Sequence, residues 1–339
     1  MPGNLSIQPR SGPGGGVASA AMEQRHLGRS GLLVSRLGLG TLGWGREVDA
    51  DEAKTILAAF VDAGGSLVDT AAGYGDGESE RTIGALLAEG LVTRDELVLA
   101  TKAGVARRGA ERQVDASRRT LLATLDASLD RLRTDHVDLW LVHRWSPLTP
   151  LDETLSALDH AVGSGRVRYA GVADFTGWQS ARAATWQAAV PGRTVLVAVG
   201  AEYSLVNRNA DRELLPACVD LGLGLLAWSP LGRGVLTGKY RHGTPSDSRA
   251  ASPQYEAFVS RYLDNRPRRI VDAVATAADG LGVSPVGVAL AWVRDRPGVA
   301  APIVGVRTAS QLAAALASED VTIPDEIRAA LDDVSEPPD

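Results

Sequence analysis

Apolar residues recur along this chain with two periods, and the two alternate. Short apolar runs of strand length give way to longer stretches in which apolar residues return every three or four positions. The short runs cover 36–41, 66–70, 97–101, 136–142, 169–173, 195–201, 224–229 and 300–304, which predicts eight strands. The helical stretches cover 51–63, 78–88, 115–133, 151–163, 177–189, 211–221, 284–296 and 309–317, each behind a turn or cap signal. Ahead of the first strand, a mixed stretch from Gln24 crosses Gly28-Arg29-Ser30-Gly31, which predicts a β-hairpin. A further helix is expected at 267–281.

Apolar strands separated by two-faced helices are what a parallel sheet covered by helices requires. The pattern predicts the α/β class and a single (β/α)8 TIM barrel over residues 22–339, with the N-terminal hairpin and extra helices added. A doubly wound open sheet would place G-x-G-x-x-G after its first strand. This chain has Gly40-Thr41-Leu42-Gly43-Trp44-Gly45 there, which lacks that spacing.

Composition narrows the picture. Residues 1–21 include Ser11-Gly12-Pro13-Gly14-Gly15-Gly16 and are expected to form a flexible tail, being too poor in apolar side chains to offset backbone ordering. They hold no continuous apolar run, so neither a signal peptide nor a membrane span is expected, and the expected location is cytoplasmic. Hydrophobic residues make up 45% and charged residues 22% of the chain, enough for a full core. The net charge of −6, from 35 Lys and Arg against 41 Asp and Glu, argues against nucleic acid or a membrane surface as partner. Cys218 is the single cysteine, and no Cys and His set has zinc spacing, so no metal is expected.

In a (β/α)8 barrel the chemistry lies at the C-terminal ends of the strands. The second, third and fourth expected strands end in Asp69, Lys102 and His143, and Tyr74 follows in Ala71-Ala72-Gly73-Tyr74-Gly75-Asp76-Gly77. Each alone reads as readily as a cap, an ion-pair partner or packing. Together, four proton-transfer residue types converge on one rim.

These motifs resemble the aldo-keto reductase family. The resemblance runs from about Arg25 to Leu331 through Asp69-Thr70-Ala71, Ala100-Thr101-Lys102, His143-Arg144-Trp145, Glu202-Tyr203-Ser204-Leu205, Trp228-Ser229-Pro230-Leu231-Gly232-Arg233-Gly234 and Leu236-Thr237-Gly238-Lys239-Tyr240. It implies NADPH-dependent reduction of an aldehyde or ketone, with NADH the weaker candidate. The implied catalytic tetrad is Asp69, Tyr74, Lys102 and His143. Tyr74 would be the general acid, its phenol made more acidic by the Lys102 ammonium, which Asp69 holds charged, while His143 orients the carbonyl.

The resemblance also implies that Trp228 stacks on the nicotinamide and that Ser229, Leu231, Gly232 and Arg233 wrap the pyrophosphate. Arg307 and Thr308, with Gln311, precede or open the last βα helix and would bind the 2′-phosphate. Where the family has Ser-Asn after the fifth strand, this chain has Ala173-Asp174; where a Gln and an Asn are usual, it has Gly200 and Ala315. Asp174 is expected to accept from the carboxamide, with affinity lower by ~10–1,000-fold for the bonds lost. Trp44 and Trp145 are expected to wall the substrate pocket, and 241–248 has the composition of a lid. The expected partner is a small carbonyl compound. The rival reading is a weakly active barrel that binds nucleotide as a sensor or regulatory subunit.

Overall fold

The computed structural model describes residues 22–108, 111–241, 259–260 and 262–337. The expectations placed on 1–21 and on 242–248 lie outside the described residues.

Two short strands, β1 (Gln24–His26) and β2 (Leu33–Ser35), form the antiparallel hairpin expected around Gly28. Eight parallel strands then close on themselves. In chain order they are β3 (Gly38–Gly40), β4 (Leu67–Asp69), β5 (Val98–Ala103), β8 (Val137–Val142), β9 (Val167–Ala173), β10 (Leu196–Glu202), β11 (Gly224–Trp228) and β12 (Val299–Gly305). Neighbours in sequence are neighbours in the barrel, and β12 pairs back onto β3 with Ile303 opposite Gly38 and Gly305 opposite Gly40. This is the (β/α)8 barrel that eight alternating units require.

The helices between the strands are α1 (Ala50–Asp62), α2 (Glu78–Ala88), α3 (Arg118–Leu132), α4 (Leu151–Gly163), α5 (Gly177–Ala188), α6 (Leu214–Leu221), α7 (Asn265–Leu281), α8 (Pro285–Arg294), α9 (Ala309–Leu316) and α10 (Asp325–Ser335). Local sequence starts them. Asp49 caps α1 by accepting from Glu52 N, Thr176 and Gln179 form a capping box on α5, and Ser284 caps α8 with Pro285 in its first turn.

Two helix starts differ from the expectation by three residues. The helix placed at 115–133 begins at Arg118, because the preceding residues belong to a small hairpin, β6 (Val105–Arg108) and β7 (Glu111–Val114). The helix placed at 211–221 begins at Leu214, behind a single 3-10 turn at Asn209–Asp211.

The core has two parts. Leu67, Ala100, Leu139, Leu141, Ala198, Leu226 and Ile303 form one cluster with Leu27 and Val34 of the hairpin, so apolar side chains fill the barrel and the hairpin stoppers it. Arg29 N donates to Gly222 O at 2.8 Å, which puts the hairpin at the end where β11 begins. The larger cluster lies between strands and helices, with Ile56, Leu57, Leu125, Leu158 and Trp292 fully buried. With one end closed, open space is left at the end where the strands finish. Among the described residues no single helix is long and apolar enough to cross a membrane.

Candidate active site

Strand register brings the rim residues together. Asp69, the last residue of β4, lies opposite Ala100 of β5; two residues on, Lys102 lies opposite Leu141 of β8; two residues beyond Leu141 comes His143. Each step of two keeps the side chain on the same, inward face, so the stagger of the closed barrel aligns all three.

Tyr74 arrives from the loop after β4. That loop stays tied to β5, with Thr70 N donating to Ala100 O at 2.8 Å and Ala72 N to Lys102 O at 3.1 Å. Gly75, Asp76 and Gly77 then take positive φ of 62°, 57° and 92°, which reverses the chain and returns Tyr74 over the mouth. The Tyr74 and His143 rings meet edge to face with centroids 6.0 Å apart, and Lys102 Nζ lies 5.2 Å from the Tyr74 ring centroid.

Lys102 Nζ donates to both Asp69 oxygens at 2.6 Å and to Thr70 O at 2.9 Å, with both side chains buried. Burial pushes the Asp69 carboxyl above its ordinary value, against the pull of Lys102. Burial alone would lower the Lys102 ammonium, but Asp69 and Tyr74 outweigh it and hold Lys102 above the usual lysine value. Burial also pushes the Tyr74 phenol up, with Lys102 opposing only in part. Lys102 thus pulls the phenol toward acidity, as expected, but desolvation outweighs that pull and the net direction is upward.

These residues line a cavity of about 520 Å³ that runs past Asp174, Trp228, Ser229, Leu231, Arg233 and Lys239 to Arg307, Gln311 and Ala315. Three of the five non-glycine residues with positive φ among those described lie on it: Asp174 at 52°, Ser229 at 53° and Arg233 at 60°. Left-handed backbone costs L-residues energy and collects where function holds it.

A family model described as the aldo/keto reductase family matches residues 36–336. The chain belongs to the aldo-keto reductase family. It is 36% identical over 326 residues to the uncharacterised oxidoreductase YrpG of Bacillus subtilis, covering 92% of this chain and 96% of that protein. It is 33% identical over 302 residues to the L-glyceraldehyde 3-phosphate reductase of Escherichia coli K12, covering 86% of each. It is 35% identical over 306 residues to a probable voltage-gated potassium channel subunit beta of Oryza sativa, covering 88% of this chain and 92% of that protein. The chain is thus an NAD(P)H-dependent oxidoreductase.

The residues of this aldo-keto reductase fit a dinucleotide. The cavity has the size of a small-molecule site, and its lining combines the Trp228 ring and the Asp69, Lys102 and Tyr74 group with two cations suited to phosphates, Lys239 and Arg307. Gly234 keeps the space open: a Cβ there would sit 3.3 Å from Lys239 Nζ.

Several residues expected at the cofactor or substrate are engaged by the protein itself. Arg233 lines the cavity but donates to Glu202 Oε1 and Oε2 at 2.8 and 2.7 Å, with only 5% of its side chain exposed. The barrel's own carboxylate thus neutralises the charge expected for phosphate. Gly232, with φ of 55°, packs against Val206, whose Cγ2 a Cβ there would meet at 2.5 Å. Thr308 caps α9 by accepting from Gln311 N at 3.2 Å, and Gln311 Oε1 accepts from Arg307 N at 2.9 Å. Trp44 is fully buried in the larger core cluster, and Trp145 packs edge to face against Phe175 and Trp178, at 5.2 and 5.4 Å. Neither lines the cavity.

Three contributors escaped the sequence reading. Lys239 lies inside the Leu236-Thr237-Gly238-Lys239-Tyr240 motif that carried the family resemblance, and Arg144 follows His143 directly. Both were visible there without an assigned role. Glu52 Oε1 accepts from Ala309 N at 2.6 Å, so a carboxylate of α1 already sits at the α9 N-terminus expected to hold the 2′-phosphate. Its partner is 257 residues away, and no local signal marks it.

Proposed function

We propose that this aldo-keto reductase reduces an aldehyde or ketone to the alcohol, with NADPH as reductant and Tyr74 as the proton donor. The observation that carries the reading is the buried Asp69–Lys102 pair, set against the Tyr74 ring on a cavity of about 520 Å³.

A reduced nicotinamide dinucleotide, when bound, supplies the hydride that no side chain can. The remaining work falls to the chain. Tyr74 Oη gives its proton to the carbonyl oxygen as negative charge develops there. Lys102, kept charged by Asp69, stabilises the phenolate left behind. His143, against the Tyr74 ring, donates to the same oxygen and sets its angle. Leu141, Leu226 and Ile303 form an apolar floor beneath them, which excludes water from the proton path. Trp228 gives a flat surface for the nicotinamide, while Lys239 and Arg307 meet the phosphates. The Arg307 guanidinium favours NADPH over NADH.

The test is Tyr74→Phe. Turnover of 4-nitrobenzaldehyde, followed at the nicotinamide absorbance band, should fall by about 10²–10⁴-fold, with cofactor affinity unchanged by Trp fluorescence. Full turnover in a folded variant rejects the assignment. The regulatory reading has one observation in its favour: both oxygens of Asp174 are engaged by protein donors. It predicts tight nucleotide binding with no turnover across a broad carbonyl panel.

A further inference from the structure

Asp174 stands at the end of β9 with φ of 52°, and its N–H donates to Gly200 O at 2.8 Å. That pins the backbone and aims the side chain along the rim. Oδ1 accepts from Trp228 Nε1 at 3.1 Å, and Oδ2 accepts from Arg144 Nη2 at 3.1 Å. The indole is therefore held by its N–H edge. Beyond its face stands the Arg233 guanidinium, 6.0 Å from the ring centroid and clamped by Glu202.

Neighbouring backbone space supports this arrangement. A Cβ on Gly200 would lie 3.2 Å from the Ala173 Cβ, so a large side chain at 200 would crowd the strand end that presents Asp174. The small residues at 173 and 200 and the carboxylate at 174 form one packed unit.

We propose that Asp174 is a positioning residue for Trp228, with Arg144 as its counter-charge, and that it acts on the cofactor through the indole. The proposal rests on the reading of Trp228 as the surface against which the nicotinamide lies. It replaces the expectation that Asp174 serves chiefly as a carboxamide ligand. An indole free to turn about its two side-chain torsions has to be ordered on binding, whereas one held by a charge-assisted hydrogen bond is ordered beforehand. Asparagine at 174 keeps an acceptor for Trp228 Nε1–H and loses the charge that holds Arg144. Alanine loses both.

A double-mutant cycle separates positioning from direct contact. Dissociation constants for NADPH are measured by equilibrium dialysis in wild type, Asp174→Ala, Trp228→Phe and the double variant. Asp174→Ala should weaken binding ~10-fold or more, as loss of a hydrogen bond to a charged group does. In the Trp228→Phe background the same change should cost less than about twofold. Asp174→Asn and Arg144→Gln should each stay within about threefold of wild type. Equal losses from Asp174→Ala in both backgrounds would show direct contact and overturn the proposal.

Iodide quenching of the cofactor-free chain gives a second readout. Asp174→Ala should expose the fraction of fluorescence that Trp228→Phe removes, and an unchanged quenching profile in a folded variant also overturns the proposal. If wild type binds neither NADPH nor NADH, the proposed function falls, and the quenching comparison alone decides the role of Asp174.

Discussion

Arg233 donates to both carboxylate oxygens of Glu202 across the gap between β10 and the loop after β11. Tyr262 joins the pair, its hydroxyl donating to Glu202 Oε1 at 3.0 Å, and Asn207 Nδ2 donates to that hydroxyl at 3.0 Å. The loop bounding the cavity is thus strapped to the neighbouring strand by a buried charge pair. Removing one member of such a pair leaves an uncompensated charge and costs ~3–5 kcal/mol, whereas replacing both with apolar groups costs far less. Glu202→Ala should lower stability in urea by that order. Adding Arg233→Met should recover part of the loss; two additive losses would show that the pair is not the strap.

Asp69→Asn removes the charge that overrides the burial penalty on Lys102. With its main raising partner gone, desolvation lowers the Lys102 value. The alkaline limb of kcat/KM should move toward neutral pH, together with a fall in turnover. An alkaline limb at the wild-type pH would mean that Lys102 does not govern the rate.

Glu52 occupies the first-turn N–H of α9 at Ala309, so its charge opposes a phosphate placed there. Glu52→Gln should improve the affinity for NADPH relative to NADH by about threefold to tenfold, the scale of a charge at a helix end. Isothermal titration with both cofactors measures it. An unchanged ratio would place the adenosine end elsewhere in the cavity.

Gly84 lies where α2 packs tightly on the end of α3: a Cβ there would meet Arg131 O at 2.1 Å and Leu132 C at 2.8 Å. Alanine normally stabilises a helix interior over glycine. Here the obstacle is backbone, and overpacking of ~1–3 kcal/mol should reverse the sign. Thermal unfolding of Gly84→Ala should therefore shift downward; an upward shift would show that the helices part freely.

Burial pushes the Cys218 thiol up to about 12. It should resist Ellman's reagent in the native protein and react once unfolded. The folded value lies above the unfolded one, so this thiol's contribution to stability is complete below the unfolded value of ~8.5 and is lost as pH rises from there toward 12. Urea midpoints across that window should fall more steeply for wild type than for Cys218→Ala; parallel slopes would remove the thiol from the alkaline instability.

The barrel was legible because every strand is a short apolar run and its neighbour in space is its neighbour in sequence. Asp69, Lys102 and His143 were legible for the same reason, since each lies at or just beyond the end of a run. Partners across the fold were not. The pairing of Arg233 was hidden because nothing near it in sequence names Glu202, and Trp44 looked like a pocket wall because its loop gives no hint of burial. The β6–β7 hairpin escaped because Arg107, Arg108, Glu111, Arg112 and Gln113 leave no apolar alternation to read.

The seam where β12 meets β3 joins the last strand of the barrel to the first, with Gly305 opposite Gly40, and both line the cavity. Contacts so distant in sequence form late, after shorter loops have closed. No fragment of the chain holds the complete site, and during refolding the return of cofactor binding should trail the return of helix and strand signals. Affinity for the dinucleotide would then serve as a clock for the last closure of the barrel.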